Sequence, residues 1–187
     1  MSITSEENII NNCAPTLAGL KTGSLFNAFY KSKSELLCDI AHFNRMLAGK
    51  GLRVIPLRFS QSSALIYLYR PDKLKRDLND PEAAKILAES GYESRESSKC
   101  ISRLMRRLRE SGDFPHEIGL FLSYPPEDVR GFIENRGKNA KAGGLWKVYG
   151  DVESAEALFE RFKRCTVSYR RAFERGKRLG DLALACK

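Results

Sequence analysis

Residues 114–151 read FPHEIGLFLSYPPEDVRGFIENRGKNAKAGGLWKVYGD, and this stretch decides much of the fold. Asp113 suits the N-cap of a helix, and Pro115 suits its first turn, where the missing N–H costs nothing. The Tyr-Pro-Pro run ends that helix, and its last proline begins a second one. A glycine pair then leads into residues 145–149, whose aromatic and β-branched side chains predict a strand. The stretch therefore predicts two short helices, a glycine loop and a strand.

The spacing of five residues in this stretch resembles a helix-turn-helix unit, with the strand as a wing. The five are Gly119, Leu122, Ser123, Val129 and Phe132. The helix predicted at residues 126–135 would then read DNA. It carries Glu127, Asp128 and Glu134 beside Arg130, and carboxylates oppose the phosphate contacts that supply most DNA affinity. A winged-helix-like DNA-binding protein is therefore an alternative rather than the leading interpretation.

The same stretch resembles a bacterial domain-of-unknown-function family, DUF3793. The motifs that carry the resemblance are Phe114-Pro115-His116-Glu117-Ile118-Gly119, Tyr124-Pro125, Glu127-Asp128-Val129, Gly131-Phe132-Ile133-Glu134-Asn135 and Trp146-Lys147-Val148-Tyr149-Gly150-Asp151. Near the amino end, Cys13-Ala14-Pro15-Thr16-Leu17 with Gly19 and Lys21 extends it to nearly the full chain. Many members carry cysteine where this chain has Ala142-Gly143. The resemblance implies redox or iron physiology.

The rest of the chain predicts a mostly helical α+β fold. At 187 residues the chain is long enough for one domain with a sizeable core. Residues 34–49 predict a helix capped by Ser34, and residues 52–57 and 64–69 predict two strands, with Pro56 at a sheet edge or bulge. With the strand at 145–149 these give a small, antiparallel or mixed sheet of about three strands. Short helices start before Pro71 and Pro81, and residues 151–178 predict a long amphipathic helix.

Composition and cysteine usage indicate a reduced, cytoplasmic protein. The amino end has no basic start and no apolar run, so it does not predict a secretion signal. No stretch approaches the roughly 18 apolar residues of a membrane span. The five cysteines are scattered and form no C-x-x-C pair, which argues against a disulfide framework and a zinc site.

The formal net charge of +9 favours an acidic partner. Two predicted helical segments carry most of this charge, one at residues 97–111 and one at 161–178. The basic end of the last helix and the tail, residues 161–187, can project from the domain. The candidate binding residues are Lys21, Arg103, Arg106, Arg107, Arg164, Arg170, Arg171, Arg175, Trp146 and Lys147. Solvated or internally paired arginines would give the same pattern, so the pattern alone does not identify a partner.

Two residues are candidates for catalysis. Residues 13–15 predict a helix start, where the free N–H groups would lower the thiol pKa of Cys13, with Lys21 adding to the effect. His116 lies at the other predicted helix start, where the dipole favours the neutral ring that a general base needs. Packing in the core is the competing interpretation for Cys13, and a helix-cap position is the competing one for His116. The sequence indicates no particular cofactor.

Three interpretations follow. The leading one is a binding or adaptor module whose basic face docks an acidic macromolecule. That partner is an acidic protein such as a flavodoxin, or nucleic acid. The alternatives are a small thiol- and histidine-dependent enzyme using Cys13 and His116, and the winged-helix-like DNA binder.

Overall fold

The computed structural model describes residues 6–110 and 114–185 and confirms the α+β class. Asp113 and Cys186 lie outside the described residues. The contacts divide the chain into two units. The first comprises the chain up to Asp72 and again from Phe162, and the second comprises Lys73–Arg161.

In chain order the elements are α1 (Glu6–Leu17), β1 (Gly23–Phe29), α2 (Lys33–Leu47), β2 (Arg53–Phe59), β3 (Ser63–Tyr69), α3 (Pro71–Leu78), α4 (Pro81–Glu89), α5 (Ser97–Glu110), α6 (Ile118–Phe121), α7 (Pro126–Glu134), β4 (Ala142–Gly143), β5 (Lys147–Val148), α8 (Val152–Glu174) and α9 (Leu179–Leu182).

The first unit contains an antiparallel sheet in the order β1-β3-β2. The prediction of three strands is confirmed in number, but the third strand is β1 and not the segment around Trp146. β1 is not apparent from the sequence, because the glycines and Lys21 around its start are typical of a turn. Pro56 lies in the edge strand β2, and the register shifts between Pro56 and Arg58. Both expectations for this proline are therefore confirmed, since an edge strand tolerates a residue without an N–H.

Helix α1 packs on this sheet as one continuous helix. The prediction that a helix starts at residues 13–15 is wrong, because these residues, including Pro15, lie inside α1, which begins at Glu6. Ile9, Cys13 and Leu17 are each 0% exposed and recur at helical spacing. Burial of that apolar stripe outweighs the hydrogen bond that the proline removes.

A buried arginine joins the end of α1 to the end of the chain. The guanidinium of Arg70 donates to the backbone carbonyls of Thr16, Leu17, Lys50 and Leu184 at 2.7–3.0 Å. Two of these carbonyls belong to the last turn of α1, where the helix dipole favours a cation. Leu179 and Ala183 are buried in the hydrophobic core of the first unit, so α9 packs within that unit.

Two predicted helix bounds in this unit need correction. The N-cap of α2 is Ser32 and not Ser34, and its side chain caps no backbone N–H. Instead the two serine hydroxyls hydrogen-bond each other at 2.7 Å. Helix α8 ends at Glu174, short of the predicted 178, because Gly176 adopts a φ of +91° that stops the helix.

The second unit is helical apart from a two-residue ladder between β4 and β5. Asp80 caps α4 by accepting from Glu82 N and Ala83 N, as expected for a residue before a first-turn proline. Helix α5 buries the apolar stripe that its sequence predicts, including Leu104 and Leu108. Asp151 likewise caps α8, accepting from the N–H and hydroxyl of Ser154.

Among residues 6–110 and 114–185, no helix combines the length and apolar character that a membrane crossing requires.

Candidate functional site

The second unit contains a groove of about 570 Å³ built from the 114–147 part of the chain. Its walls are largely aromatic, and the side chains of His116, Asp128 and Lys147 also line it. The aromatic residues are Phe114, Tyr124, Phe132 and Trp146. An apolar pocket of this size with a few polar groups is typical of a binding site, so we treat this groove as the candidate functional site.

The carboxylate of Asp128 holds the groove together. It is 3% exposed and accepts three hydrogen bonds, from Trp146 Nε1 at 2.7 Å, Tyr149 N at 2.7 Å and Gly150 N at 2.8 Å. The position of Asp128 in the first turn of α7 predicts a favourable interaction between its negative charge and the dipole of that helix. In the structure its carboxylate instead connects the first turn of α7 to the segment after β5. A buried carboxylate with three donors is satisfied, and losing it would leave those donors unpaired.

The indole of Trp146 forms a fixed wall. Its ring stacks on Tyr124 with centroids 4.7 Å apart and meets the edge of Phe159 at 4.5 Å. Together with the bond to Asp128, these contacts constrain both the position and the rotation of the indole. Trp146 is 8% exposed, so its role is to shape the groove rather than to protrude from it.

Two glycines permit this packing. A Cβ on Gly144 would collide with the ring of Phe159, and a Cβ on Gly119 would lie 2.8 Å from Val129 and 2.9 Å from Tyr124. These distances are shorter than real Cβ contacts. The absence of a Cβ therefore lets the ring of Phe159 approach the backbone at Gly144, and the side chains of Val129 and Tyr124 approach it at Gly119. Gly143, directly before Gly144, has open space around it.

The segment that leads into β5 is basic, and one of its lysines, Lys147, lines the groove. Residues 135–147 contain four basic residues and no acidic one: Arg136, Lys138, Lys141 and Lys147. Lys147 Nζ donates to Gly137 O, and Lys141 Nζ donates to Gly150 O at 2.9 Å. These backbone contacts fix two of the ammonium groups without neutralising them.

His116 lies at the groove but not at a helix start. Helix α6 has only four residues and begins at Ile118, so the predicted dipole effect on His116 does not apply. The side chain is exposed, and its ring centroid is 4.8 Å from that of Phe132. Glu117, its neighbour, is buried and engages Arg107 and Tyr92 instead.

Cys13 lies in the first unit and is wholly buried within α1. The predicted position before a helix start is wrong, so no helix N-terminus lowers its pKa. Burial raises the pKa of the Cys13 thiol to about 12, although Lys21 and a hydrogen bond with Ser24 act in the opposite direction. Burial lowers the pKa of Lys21 to about 8, an effect that Cys13 partly opposes. Desolvation is the larger effect at both groups, so the thiol stays protonated at neutral pH.

The predicted basic residues fall into three settings. The first is internal, since Arg107 Nε lies 2.6 Å from Glu117 Oε1, and Tyr92 donates to the same oxygen at 3.0 Å. Arg103 and Arg106 line a second, smaller pocket beside α5. The third setting is the exposed one, on α8 and directly after its end: Arg164, Arg170, Arg171 and Arg175. The structure therefore groups Trp146, Lys147 and His116 at one groove and leaves the other candidates elsewhere.

Sequence reasoning missed four groove residues: Phe114, Tyr124, Asp128 and Phe132. Each lies in a motif that the family resemblance uses, so the motifs pointed to the segment but not to the contacts. A carboxylate at the third position of a helix ordinarily indicates a dipole effect. Only the fold shows that Asp128 faces Trp146, 18 residues later in the sequence.

Comparison with known proteins places the chain in a family. No curated protein and no solved structure matches it. A family model described as "protein of unknown function (DUF3793)" matches residues 9–183, which include every motif discussed above. Because that match covers nearly the whole chain, the protein belongs to the DUF3793 family.

Proposed function

We propose that this protein is a cytoplasmic binding module whose groove in the second unit holds an apolar or aromatic side chain of an acidic partner protein. The observation that carries the proposal is the aromatic groove beside a loop with four basic residues and no acidic one. Aromatic walls favour an apolar anchor, and the basic loop favours carboxylates on either side of that anchor.

Preorganisation supports a binding role. Trp146 is already held in place by Asp128, Tyr124 and Phe159. Partner binding would therefore lose little entropy in ordering the indole. Side chains that are fixed before association lose little entropy on binding. A groove built in this way is therefore suited to recognition.

A protein partner fits better than an isolated small molecule. Phe114, Ile133 and Leu145 are exposed by 45%, 37% and 54%, although all three are large and apolar. All three belong to the segment that builds the groove, and Phe114 lines it. Exposed apolar residues that extend a pocket are typical of a protein–protein interface.

Nucleic acid is the weaker candidate for this unit. The exposed charged residues of α7 include Glu127 and Glu134, while Arg130 Nη1 pairs with Glu89 at 3.2 Å. A recognition helix needs basic or amide side chains that are available to phosphates and bases. Helix α7 offers acidic ones, which argues against α7 as a recognition helix.

The enzyme alternative has less support. Its nucleophile, Cys13, is 0% exposed with a raised pKa, and His116 belongs to the other unit. A thiol that is buried and protonated is a poor nucleophile at neutral pH.

The test uses a photo-crosslinking amino acid in place of Phe114 in the full chain, introduced in the source cells. The control carries the same crosslinker in place of Phe29, which is 59% exposed and lies in the first unit. We expect an acidic protein to be captured from position 114 and not from position 29. The captured protein is then purified and titrated against Phe114→Ala and Lys138→Glu, with Phe29→Ala and Lys31→Glu as controls.

Both groove variants should weaken binding by about tenfold or more, whereas the controls should not. Purified flavodoxin and duplex DNA are titrated as defined probes of the two partner classes. Equal capture from both positions, or equal affinity of groove and control variants, would refute the groove. DNA binding that is lost with Arg130→Ala would favour the winged-helix alternative.

A further inference from the structure

A second concave site lies beside α5, between that helix and the segment after α4. It has a volume of about 380 Å³ and is lined by four cationic side chains. These are Lys99, Arg103, Arg106 and Arg109. Three serine hydroxyl groups, from Ser94, Ser98 and Ser102, share the lining, and among the described residues that line it Glu93 is the one acidic member.

The cations are poorly compensated. Lys99 pairs with Glu96 at 3.1 Å. Within the described parts of the chain, no carboxylate lies within ion-pair distance of Arg103, Arg106 or Arg109. These arginines follow one another at three-residue spacing on α5, so their mutual repulsion destabilises the helix. An anion in the pocket would relieve that repulsion.

Arg103 adds a second, independent observation. Its Nε is buried and has no hydrogen-bond partner among the described residues. The end of the same guanidinium lies close to Gly91, where an added Cβ would be 3.2 Å from Nη2. A buried guanidinium N–H without an acceptor is costly, which indicates that an acceptor is part of the functional state.

We propose that this pocket binds a small molecule through a phosphate or diphosphate group. Arginine forks bind phosphate oxygens bidentately, and such charge-assisted bonds are about twice as strong as neutral ones. The hydroxyl of Ser94, whose oxygen accepts from Glu96 N, can supply a further donor, whereas Ser98 and Ser102 already donate to Glu96 Oε1 and Ser98 O. The arginine side chains carry more N–H donors than the two oxygens of a carboxylate can accept, which suits the several acceptor oxygens of a phosphate. The pocket is larger than a single phosphate, so the ligand extends beyond that group. The site is separate from the aromatic groove and does not depend on the proposed function.

The experiment titrates the full chain with inorganic phosphate, pyrophosphate and adenosine diphosphate by calorimetry, at constant ionic strength. Malonate, a dicarboxylate, controls for charge. We expect saturable binding of pyrophosphate that is tighter than that of malonate. If adenosine diphosphate binds more tightly still, the extra volume holds a nucleoside. If it binds no better than pyrophosphate, the site recognises the diphosphate alone.

Two kinds of variant locate the site. Arg103→Ala and Arg106→Ala should each weaken pyrophosphate binding by at least about tenfold, since each removes a charge-assisted bond. Arg175→Ala removes the same charge from an exposed position just after α8 and should change the affinity less than about twofold. Ser102→Glu places a carboxylate at an exposed position of the pocket and should abolish binding while the protein stays folded.

Two outcomes would overturn the proposal. One is the absence of saturable heat with all three phosphate compounds. The other is equal weakening by Arg175→Ala and Arg103→Ala, since that would show a general charge effect rather than a site.

Discussion

The indole N–H of Trp146 donates to Asp128 Oδ2 at 2.7 Å, while Oδ1 of the same carboxylate accepts from Tyr149 N and Gly150 N. One side chain therefore binds the wall of the groove with one oxygen and the backbone after β5 with the other. Since Trp146 is the only tryptophan, its fluorescence reports directly on this arrangement.

Asp128→Asn should break the indole bond selectively. The amide can keep its oxygen toward Tyr149 N and Gly150 N, but its NH₂ then faces the indole N–H, and two donors repel each other. We expect the free energy of unfolding to fall by about 1–3 kcal/mol. Urea unfolding followed by circular dichroism measures it in every variant, including those that lack Trp146. Trp146→Phe removes the opposing donor, so the double variant should lose less than the sum of the two single variants. Strict additivity would contradict the direct bond.

Gly144→Ala should disturb the groove, whereas Gly143→Ala should not. A methyl group at 144 collides with the ring of Phe159, which supports Trp146, while the space at 143 is open. We expect Gly144→Ala to lower stability by about 1–3 kcal/mol and to shift the tryptophan emission. Gly143→Ala should leave both nearly unchanged. Similar effects of the two adjacent substitutions would show that backbone freedom, and not the contact with Phe159, matters here.

Cys13 should alkylate far more slowly than Cys38 at neutral pH. Cys38 is exposed, whereas Cys13 is fully buried and burial raises its pKa. Mass spectrometry of peptides after timed alkylation measures both rates, and unfolding in urea should make the two rates similar. Cys13→Ser should lower the free energy of unfolding by about 1 kcal/mol or more, because it buries a more polar group. Rapid, selective labelling of Cys13 would restore the enzyme alternative.

Lys21 should make stability rise with pH between about 8 and 9. Its folded pKa of about 8 lies below the ordinary 10.5, so in this range the unfolded chain binds more protons than the folded chain. Stability then increases with pH by at most about 1 kcal/mol per unit. Above pH 9 the raised pKa of Cys13 acts in the opposite direction, because there the folded chain holds the extra proton.

Urea unfolding near pH 7, 8 and 9 tests the effect of Lys21. Lys21→Met should remove the rise, while Lys31→Met, at an exposed lysine, should keep it. A rise that persists in Lys21→Met would assign the effect to another group.

Reversing Arg164, Arg170, Arg171 and Arg175 to glutamate should slow association with an acidic partner without unfolding the protein. All four are exposed, three on α8 and Arg175 just after it. Each reversal lowers the formal net charge by two units, so the four together take it from +9 to +1. Association of the wild type should slow with salt, since exposed charges are screened over roughly 10 Å at 0.1 M. Stopped-flow rates at two salt concentrations measure both effects. An unchanged rate in a folded variant would exclude electrostatic steering by α8.

The sequence by itself determined the features that depend on near neighbours. Helices α3, α4 and α7 begin at Pro71, Pro81 and Pro126, as the sequence predicts. The cap of α8 at Asp151 and the edge position of Pro56 are also as predicted. These features follow from proline geometry and from hydrogen bonds between residues a few positions apart, so a short window of sequence contains their cause.

The tertiary structure decided what depends on distant partners. β1 is a strand because its N–H and C=O groups pair with β3, about forty residues later, although the residues around its start resemble a turn. Pro15 stays inside α1 because Cys13 and Leu17 bury a stripe against the sheet. Asp128 becomes the centre of the groove because the fold brings three donors to it. In each case burial and hydrogen bonding with remote residues outweigh the local preference, and no local window of sequence contains those partners.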